Sequence, residues 1–357
     1  MCAESRRRNR NLHMGDLRIA VSLLGGLSCR ERVLLTESVT SLNILFRLHT
    51  RAVEEIVGRR LRGRVIPEDW EERSERIAAL AERGGFRILH FWDESYPPQL
   101  REIYDPPFLL YLRGELPAAE LPFCAVVGTR KPCESARQAA FRMGAELALA
   151  NIPVVSGLAM GIDAAAHWGA VRTGGVTIAV EATGIDRVYP PVNRELASRI
   201  LENGGALLSE YPPGVEVRRY RFPERNRLIS GLSRAVVVVQ APEKSGALIT
   251  ADYALEQGRE LLVHEAGLAG TAGAGGRRLH EEGGESIRSA AEALRDWDVA
   301  EIRRGVGLTA LSRNDANRYE MSRHATGRNE DSSSRLLEDE LEGRVIRYGG
   351  MKYRRVG

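Results

Sequence analysis

The sequence predicts an α/β protein built on a doubly wound, mostly parallel sheet, and three observations carry that expectation. Between residues 121 and 298, short runs rich in Val, Ile, Leu and Ala recur, each bounded by Gly, Pro or a polar residue. These runs do not alternate apolar with polar, as strands covered on both faces do not. Stretches of helical character separate them, and parallel strands need such crossovers.

The strands are expected at Cys124–Val127, Val154–Ser156, Val176–Val180, Ala206–Ser209, Ala235–Gln240 and Leu261–His264. The helices between them are expected at Glu134–Ala150, Ile162–Arg172, Asn193–Asn203 and Ala247–Gln257. Upstream, residues 1–14 are polar and basic, an arm expected to be disordered. Residues 15–85 have helical period: Leu35, Val39, Leu42 and Phe46 make one stripe, Val53, Ile56, Val57 and Leu61 a second, and Ile77, Leu80 and Ala81 a third. Arg47, Arg51, Arg59, Arg60, Arg62 and Arg64 make this helical domain basic, as a solvated helix face or as a nucleic-acid contact.

Residues 86–120 read as a connector with two short strands, Phe86–Phe91 and Phe108–Leu112, broken at Tyr96-Pro97-Pro98 and Asp105-Pro106-Pro107. In residues 299–357, a helix at Ser332–Leu341 precedes a basic hairpin, Arg344–Tyr348 and Met351–Arg354, around Gly349-Gly350. Helix followed by basic hairpin is the pattern of the second half of a winged helix.

Composition sets outer bounds. The 357 residues are 28% charged and 43% hydrophobic, which excludes bulk disorder. No stretch reaches the ~18 apolar residues of a spanning helix, so no membrane partner is expected. Net charge is only +3, but Lys131, Lys244 and Lys352 are the only lysines, and the other 48 basic residues are arginines. Codon bias explains that as well as phosphate binding does. Cys2, Cys29, Cys124 and Cys133 show neither CxxC nor zinc spacing, which fits a reducing cytosol and no metal. The basic start followed by the apolar patch ending near Cys29 resembles a signal peptide only superficially, because Gly26-Leu27-Ser28 is a poor cleavage site.

Ligands of open α/β sheets sit beyond the carboxyl ends of the strands, so the loops there hold the candidate site. Gly128-Thr129-Arg130 precedes a helix, giving free amides plus a guanidinium fork, an anion site that is neither GxGxxG nor a Walker loop. Ser156 and Gly157 begin a second turn suited to phosphate or sugar. Gly161 is assigned to the turn itself, Asp163 to a helix cap as readily as to a ligand, and His167 to a structural partner of Asp163.

Arg218–Arg227 packs Arg219, Tyr220, Phe222, Arg225, Asn226 and Arg227 into the strongest nucleic-acid signal: arginines for phosphates, rings for bases. The plain alternative buries Phe222 and pairs arginines with Glu216 and Glu224. Lys244-Ser245-Gly246 repeats the amide-plus-cation geometry of the first loop. GxSxG, HExxH and a distinct carboxylate pair are all missing from the sequence.

In this order, the loops resemble the DprA/Smf family of DNA-processing proteins. The resemblance is carried by Val126-Val-Gly-Thr-Arg130, Val154-Val-Ser-Gly-Leu-Ala-Met-Gly-Ile-Asp163, Gly184-Ile-Asp-Arg-Val-Tyr-Pro190, Leu207-Leu-Ser-Glu-Tyr-Pro-Pro213, Phe222–Ser233 and Lys244–Thr250. It implies a Rossmann-like core flanked by an N-terminal helical, SAM-like domain and a winged-helix-like C-terminal segment. It also implies a homodimer that binds single-stranded DNA, protects incoming strands in natural transformation and helps load RecA, without catalysis or cofactor. By matching position, Gly128, Arg130, Ser156, Gly157, Phe222, Arg225, Asn226, Lys244 and Ser245 would line the DNA groove.

The chain departs from the family pattern at Met160, where Arg is usual, at Ser135-Ala136 for Tyr-Gly, at Glu181 for an apolar residue, and at His264–Gly267 for Val-Pro-Gly. The rival reading is an enzyme of a related fold that cleaves N-glycosidic bonds of nucleoside monophosphates. Such enzymes carry a Pro-Gly-Gly-x-Gly-Thr loop that this sequence lacks.

Overall fold

Strands β3 (Cys124–Val127), β4 (Val154–Ser156), β5 (Thr177–Glu181), β6 (Ala206–Ser209), β7 (Ala235–Val238), β8 (Glu260–His264) and β9 (Glu285–Ile287) run parallel in one sheet. They belong to a computed structural model that describes residues 14–62, 65–66, 68–298, 345–348 and 352–355. Two strands of the connector, β1 (Arg87–His90) and β2 (Leu109–Gly114), extend the sheet antiparallel, and the order is β1-β2-β6-β5-β4-β3-β7-β8-β9. Among the described residues no helix is long and apolar enough to cross a membrane.

The lack of alternation in these strands has a direct cause. Successive side chains point to opposite faces, and both faces are covered. Cys124 and Val126 pack with α7 (Glu134–Leu149) and α8 (Ile162–Arg172). Ala125 and Val127 pack with α10 (Arg221–Leu232) and α11 (Gly246–Glu256) on the other side. Helix α9 (Arg194–Glu202) joins β5 to β6.

The chain winds outward from β3 to β6, then crosses back so that β7 lies on the other flank of β3. The switch point of this doubly wound sheet therefore falls between the carboxyl ends of β3 and β7, where a crevice is expected.

The upstream helices are α1 (Met14–Ser22), α2 (Cys29–Ser38), α3 (Leu42–Leu45), α4 (Thr50–Val57) and α5 (Trp70–Gly84). The stripe Leu35, Val39, Leu42, Phe46 is shared between two helices rather than one. Val39 is extended at φ −114°, ψ 115°, and Ser41 starts a new helix by accepting from the Ile44 amide. Trp70 anchors the group, donating from Nε1 to the Ala20 carbonyl at 2.6 Å with its ring 5.0 Å from Phe46. These helices share a hydrophobic cluster with Phe108, Leu109 and Tyr111.

The chain divides into two units, Met1–Ile302 and Arg303–Gly357. In the second, β10 (Val345–Tyr348) pairs antiparallel with β11 (Lys352–Arg355). The basic arm and the helix expected at Ser332–Leu341 lie outside the described residues, apart from Met14.

Helices α7 and α8 approach closely through glycine. A Cβ on Gly144 would lie 2.0 Å from the Ala166 carbonyl oxygen, and one on Gly169 would lie 2.0 Å from that of Phe141. Alanine at either position gains helix propensity but forces the pair apart. Each substitution is expected to cost about 1–3 kcal/mol net, read as a lower urea midpoint at unchanged m-value.

Candidate nucleic-acid interface

The loop after β3 is fastened on both sides. The Thr129 amide donates to the Gln240 carbonyl at 2.7 Å, and the Thr129 carbonyl accepts from the Ile162 amide at 3.2 Å. Gly128 fits because a Cβ there would sit 2.6 Å from Ile162 Cγ1. Gly161 has φ +85°, a conformation that favours glycine, and a Cβ on it would meet the Thr129 carbonyl at 2.4 Å. So held, the loop presents Arg130 to solvent with its guanidinium 5.1 Å from the centre of the Phe222 ring. The Tyr189 ring stands 5.6 Å from the Phe222 ring. The result is a row of cation, ring and ring at the switch point.

Phe222 comes from α10, a helix where the sequence shows only an arginine-aromatic segment. Pro223 is tolerated because it lies in the first turn, where its missing amide would have no helical partner. Beyond that turn the helix sinks into the protein, and three residues expected to line the groove lie inside it.

Arg225 is 4% exposed. Its Nη1 donates to the Gly157 carbonyl at 2.9 Å and to the Val180 carbonyl, and Nε donates to Asn226 Oδ1 at 3.3 Å. A Cβ on Gly157 would lie 2.5 Å from Arg225 Nη2, so that glycine makes room for a guanidinium. Asn226 donates from Nδ2 to the Gly246 carbonyl at 3.1 Å. Arg227 binds both carboxylate oxygens of Glu210 at 2.8 Å, with Asp105 3.5 Å away.

The second turn is interior as well. Ser156 is fully buried, donating from Oγ to the Val126 carbonyl at 2.7 Å. Asp163 accepts from the Gly157 amide at 3.1 Å and so braces the loop preceding α8, while Gly161, at the N-cap position, has no side chain to offer. Burial raises the Asp163 carboxyl above its ordinary value, against the opposing pull of Arg225 and of the Ala159 and Gly157 amides. His167 pairs with Thr177 rather than with Asp163: Thr177 Oγ1 donates to the Val154 carbonyl at 2.7 Å, so Nδ1 of His167 donates to that hydroxyl at 2.7 Å. Burial pushes this imidazole down to about 3, and it is neutral.

Glu181, 2% exposed at the end of β5, accepts from the Tyr189 amide; burial pushes its carboxyl up to about 8, although Arg225 and that amide pull the other way.

The third loop is at the surface. Lys244 and Gly246 are exposed, and Ser245 caps α11 by accepting from the Ala247 amide at 3.3 Å. The Asn226–Gly246 bond ties this loop to α10. Arg219 is exposed beside Arg218, which pairs with Glu216 at 2.9 Å, and beside Arg221, whose guanidinium covers Tyr211 at 4.9 Å.

One helix thus connects all three loops: Phe222 meets Arg130, Arg225 holds Gly157, and Asn226 holds Gly246. The residues left at the surface are Arg130, Arg219, Lys244 and Gly246, with Phe222, Gly128, Thr129 and Ser245 half-buried around them. Sequence reading does not single out Tyr189 or Gln240, although Tyr189 lies in the Gly184–Pro190 run.

The description that matches residues 87–298, more than half of the chain, is DNA recombination-mediator protein A. The chain belongs to that family. Protein Smf of Borreliella burgdorferi is 39% identical over 210 residues, which are 59% of this chain and 66% of that relative's length. The X-ray structure of DNA processing protein A from Streptococcus pneumoniae is similar with a TM-score of 0.64 and 33% identity, over 79% of this chain and 98% of that one. DNA processing protein A from Helicobacter pylori, described for its single-stranded DNA binding mode, matches with a TM-score of 0.51 and 28% identity, over 62% of this chain and 95% of that one.

Within this family member, depth separates the arginines. Arg225→Ala removes the main cation facing Asp163 and the one facing Glu181 and is expected to cost about 3–5 kcal/mol in urea unfolding. Arg130→Ala should stay within about 0.5 kcal/mol. A carboxyl whose folded value lies near 8 against an unfolded 4.5 stays protonated while the unfolded chain ionises. Stability therefore falls as pH rises from about 4.5 to about 8 and is level above that. In Glu181→Gln that component of the slope should be absent, as urea midpoints across the range will show.

Proposed function

We propose that this protein binds single-stranded DNA without reading its sequence, protects incoming strands and promotes loading of RecA on them. It acts as a binding protein, without turnover of its own, and works as a homodimer. The observation that carries the DNA half is the Arg130–Phe222–Tyr189 row at the switch point. A guanidinium held over a ring offers its donors to a phosphate, while the half-buried ring offers an edge or face to a base. Lys244, exposed on a loop that the Asn226–Gly246 bond ties to the same helix, adds a second cation for phosphate. None of these groups reads the donor and acceptor pattern of a base, so affinity comes from phosphate and stacking. The single-stranded DNA binding named for the Helicobacter relative supports the reading. The RecA half is supported by the family's description as a recombination mediator.

Fluorescence anisotropy with labelled oligo-dT tests the site. Arg130→Ala with Lys244→Ala should weaken binding at least about tenfold at 0.15 M salt and make the dependence on log salt shallower by roughly one to two. Phe222→Ala should cost about 1–3 kcal/mol at low and high salt alike, because stacking is not screened. A double variant that binds as wild type does would remove the cradle from this rim. RecA loading is read as the rate at which RecA covers an oligonucleotide already coated by a single-strand-binding protein. A rate unmoved by this protein would leave only the DNA-binding half.

A further inference from the structure

The segment that joins β6 to α10 carries Tyr211, Arg218, Arg219 and Tyr220, and Arg221 opens the helix. Its arginines are not equivalent. Arg218 is paired with Glu216 at 2.9 Å. Arg221 is turned onto aromatic rings: its guanidinium lies over Tyr211 at 4.9 Å and over Tyr220 at 5.5 Å, and its Nη1 donates to the Glu216 carbonyl. Arg219 is exposed and forms no ion pair among the described residues.

Tyr220 is the open ring of this group. It is 57% exposed although the Arg221 guanidinium covers one face. A cation on one face holds a ring in place and leaves the other face for a partner. The support beneath is fixed as well. Arg227 grips both carboxylate oxygens of Glu210 at 2.8 Å. The Tyr211 amide donates to Ser209 Oγ at 3.0 Å, and the Tyr211 hydroxyl donates to Glu224 at 2.9 Å. The segment is thereby tied to α10 through Glu210, Tyr211 and Glu216.

We propose that Tyr220 and Arg219 form a second nucleotide subsite, separate from the Arg130–Phe222 pair: the Tyr220 ring stacks a base, Arg219 takes an adjoining phosphate, and Arg221 supports the ring instead of touching DNA. This deepens the DNA-binding reading above and rests on it.

Separation follows from helix geometry. Tyr220, the N-cap residue, has helical backbone angles, φ −66° and ψ −23°. Residues two apart on a helix do not face each other. Phe222 is turned to Arg130 and Tyr189, whereas Tyr220 shares Arg221 with Tyr211. A strand that fills both subsites crosses the start of α10, so its contact exceeds one nucleotide. Each subsite pairs one cation with one ring, which suits a chain that alternates phosphate and base. An acidic peptide would satisfy the cations and leave the rings idle.

The test uses full-length protein and anisotropy at constant salt with two ligands: oligo-dT, and a strand of equal length whose sugars carry no base. Tyr220→Ala should weaken oligo-dT binding about tenfold, the order of one lost base stack. The same variant should bind the abasic strand within about twofold of wild type, because that strand offers only phosphates. Tyr220→Phe keeps the ring and should bind oligo-dT as wild type does. Arg219→Ala should weaken both ligands and make the dependence on log salt shallower by about 0.7. Because the subsites are separate, the losses from Tyr220→Ala and Phe222→Ala should multiply, to about a hundredfold in the double variant.

Unweakened oligo-dT binding by Tyr220→Ala would overturn the proposal and leave this ring to a protein partner. Equal losses on oligo-dT and on the abasic strand would overturn it too, since the ring would then act through the fold. A double variant no weaker than Phe222→Ala alone would show one station in place of two. Each of these outcomes leaves the Arg130–Phe222 pair standing. Absence of oligo-dT binding by the wild type would instead overturn the binding reading, and the second subsite with it.

Discussion

The buried guanidinium of Arg225 is the interaction on which the rest of the site depends. It enters from α10 and bonds the carbonyl of Gly157, just past β4, and that of Val180, in β5. Those two strands and the helix thereby meet at one point. An isolated buried cation would be costly; Asp163 and two carbonyls offset that cost, and Gly157 supplies the space. Replacing any of these four elements would disturb the others, because each is the reason for another's shape. The left-handed backbone at Leu158, φ 53°, is part of the same construction: its carbonyl is held by Asn193 Nδ2 at 2.7 Å.

This floor explains why the surface can be simple. A cradle for a flexible polyanion needs cations and amides at fixed separations, and fixed separations need a rigid support. Phe222, Arg225 and Asn226 lie on one helix, which thereby touches the Arg130 loop, the Gly157 turn and the Lys244 loop.

Much of the fold was legible in the sequence, because β3 to β8 are short apolar runs separated by crossovers, and burial on both faces leaves no other pattern. β9 was not: Glu285–Ile287 is three residues long with a charged first position. α10 was hidden as a helix because arginines and a proline fill its first turn, while its apolar positions, Leu228, Ile229 and Leu232, come later. The site was legible as a set of loops but not as a set of depths. Arginine has the same letter whether it faces phosphate or a carbonyl, and nothing in Arg225-Asn226-Arg227 says that all three point inward. Glu210 and Asp105, which neutralise Arg227, are distant in sequence, so the pairing becomes visible only after folding.

Depth also bears on the exchange at position 160. Met160 is 47% exposed on the turn that Gly161 closes against Thr129 and Arg130. A cation there would stand beside Arg130 and share its field with the same phosphates. Methionine instead adds exposed, polarizable apolar surface on that turn. The chain keeps surface charge on either side of that point, at Arg130 and at Lys244.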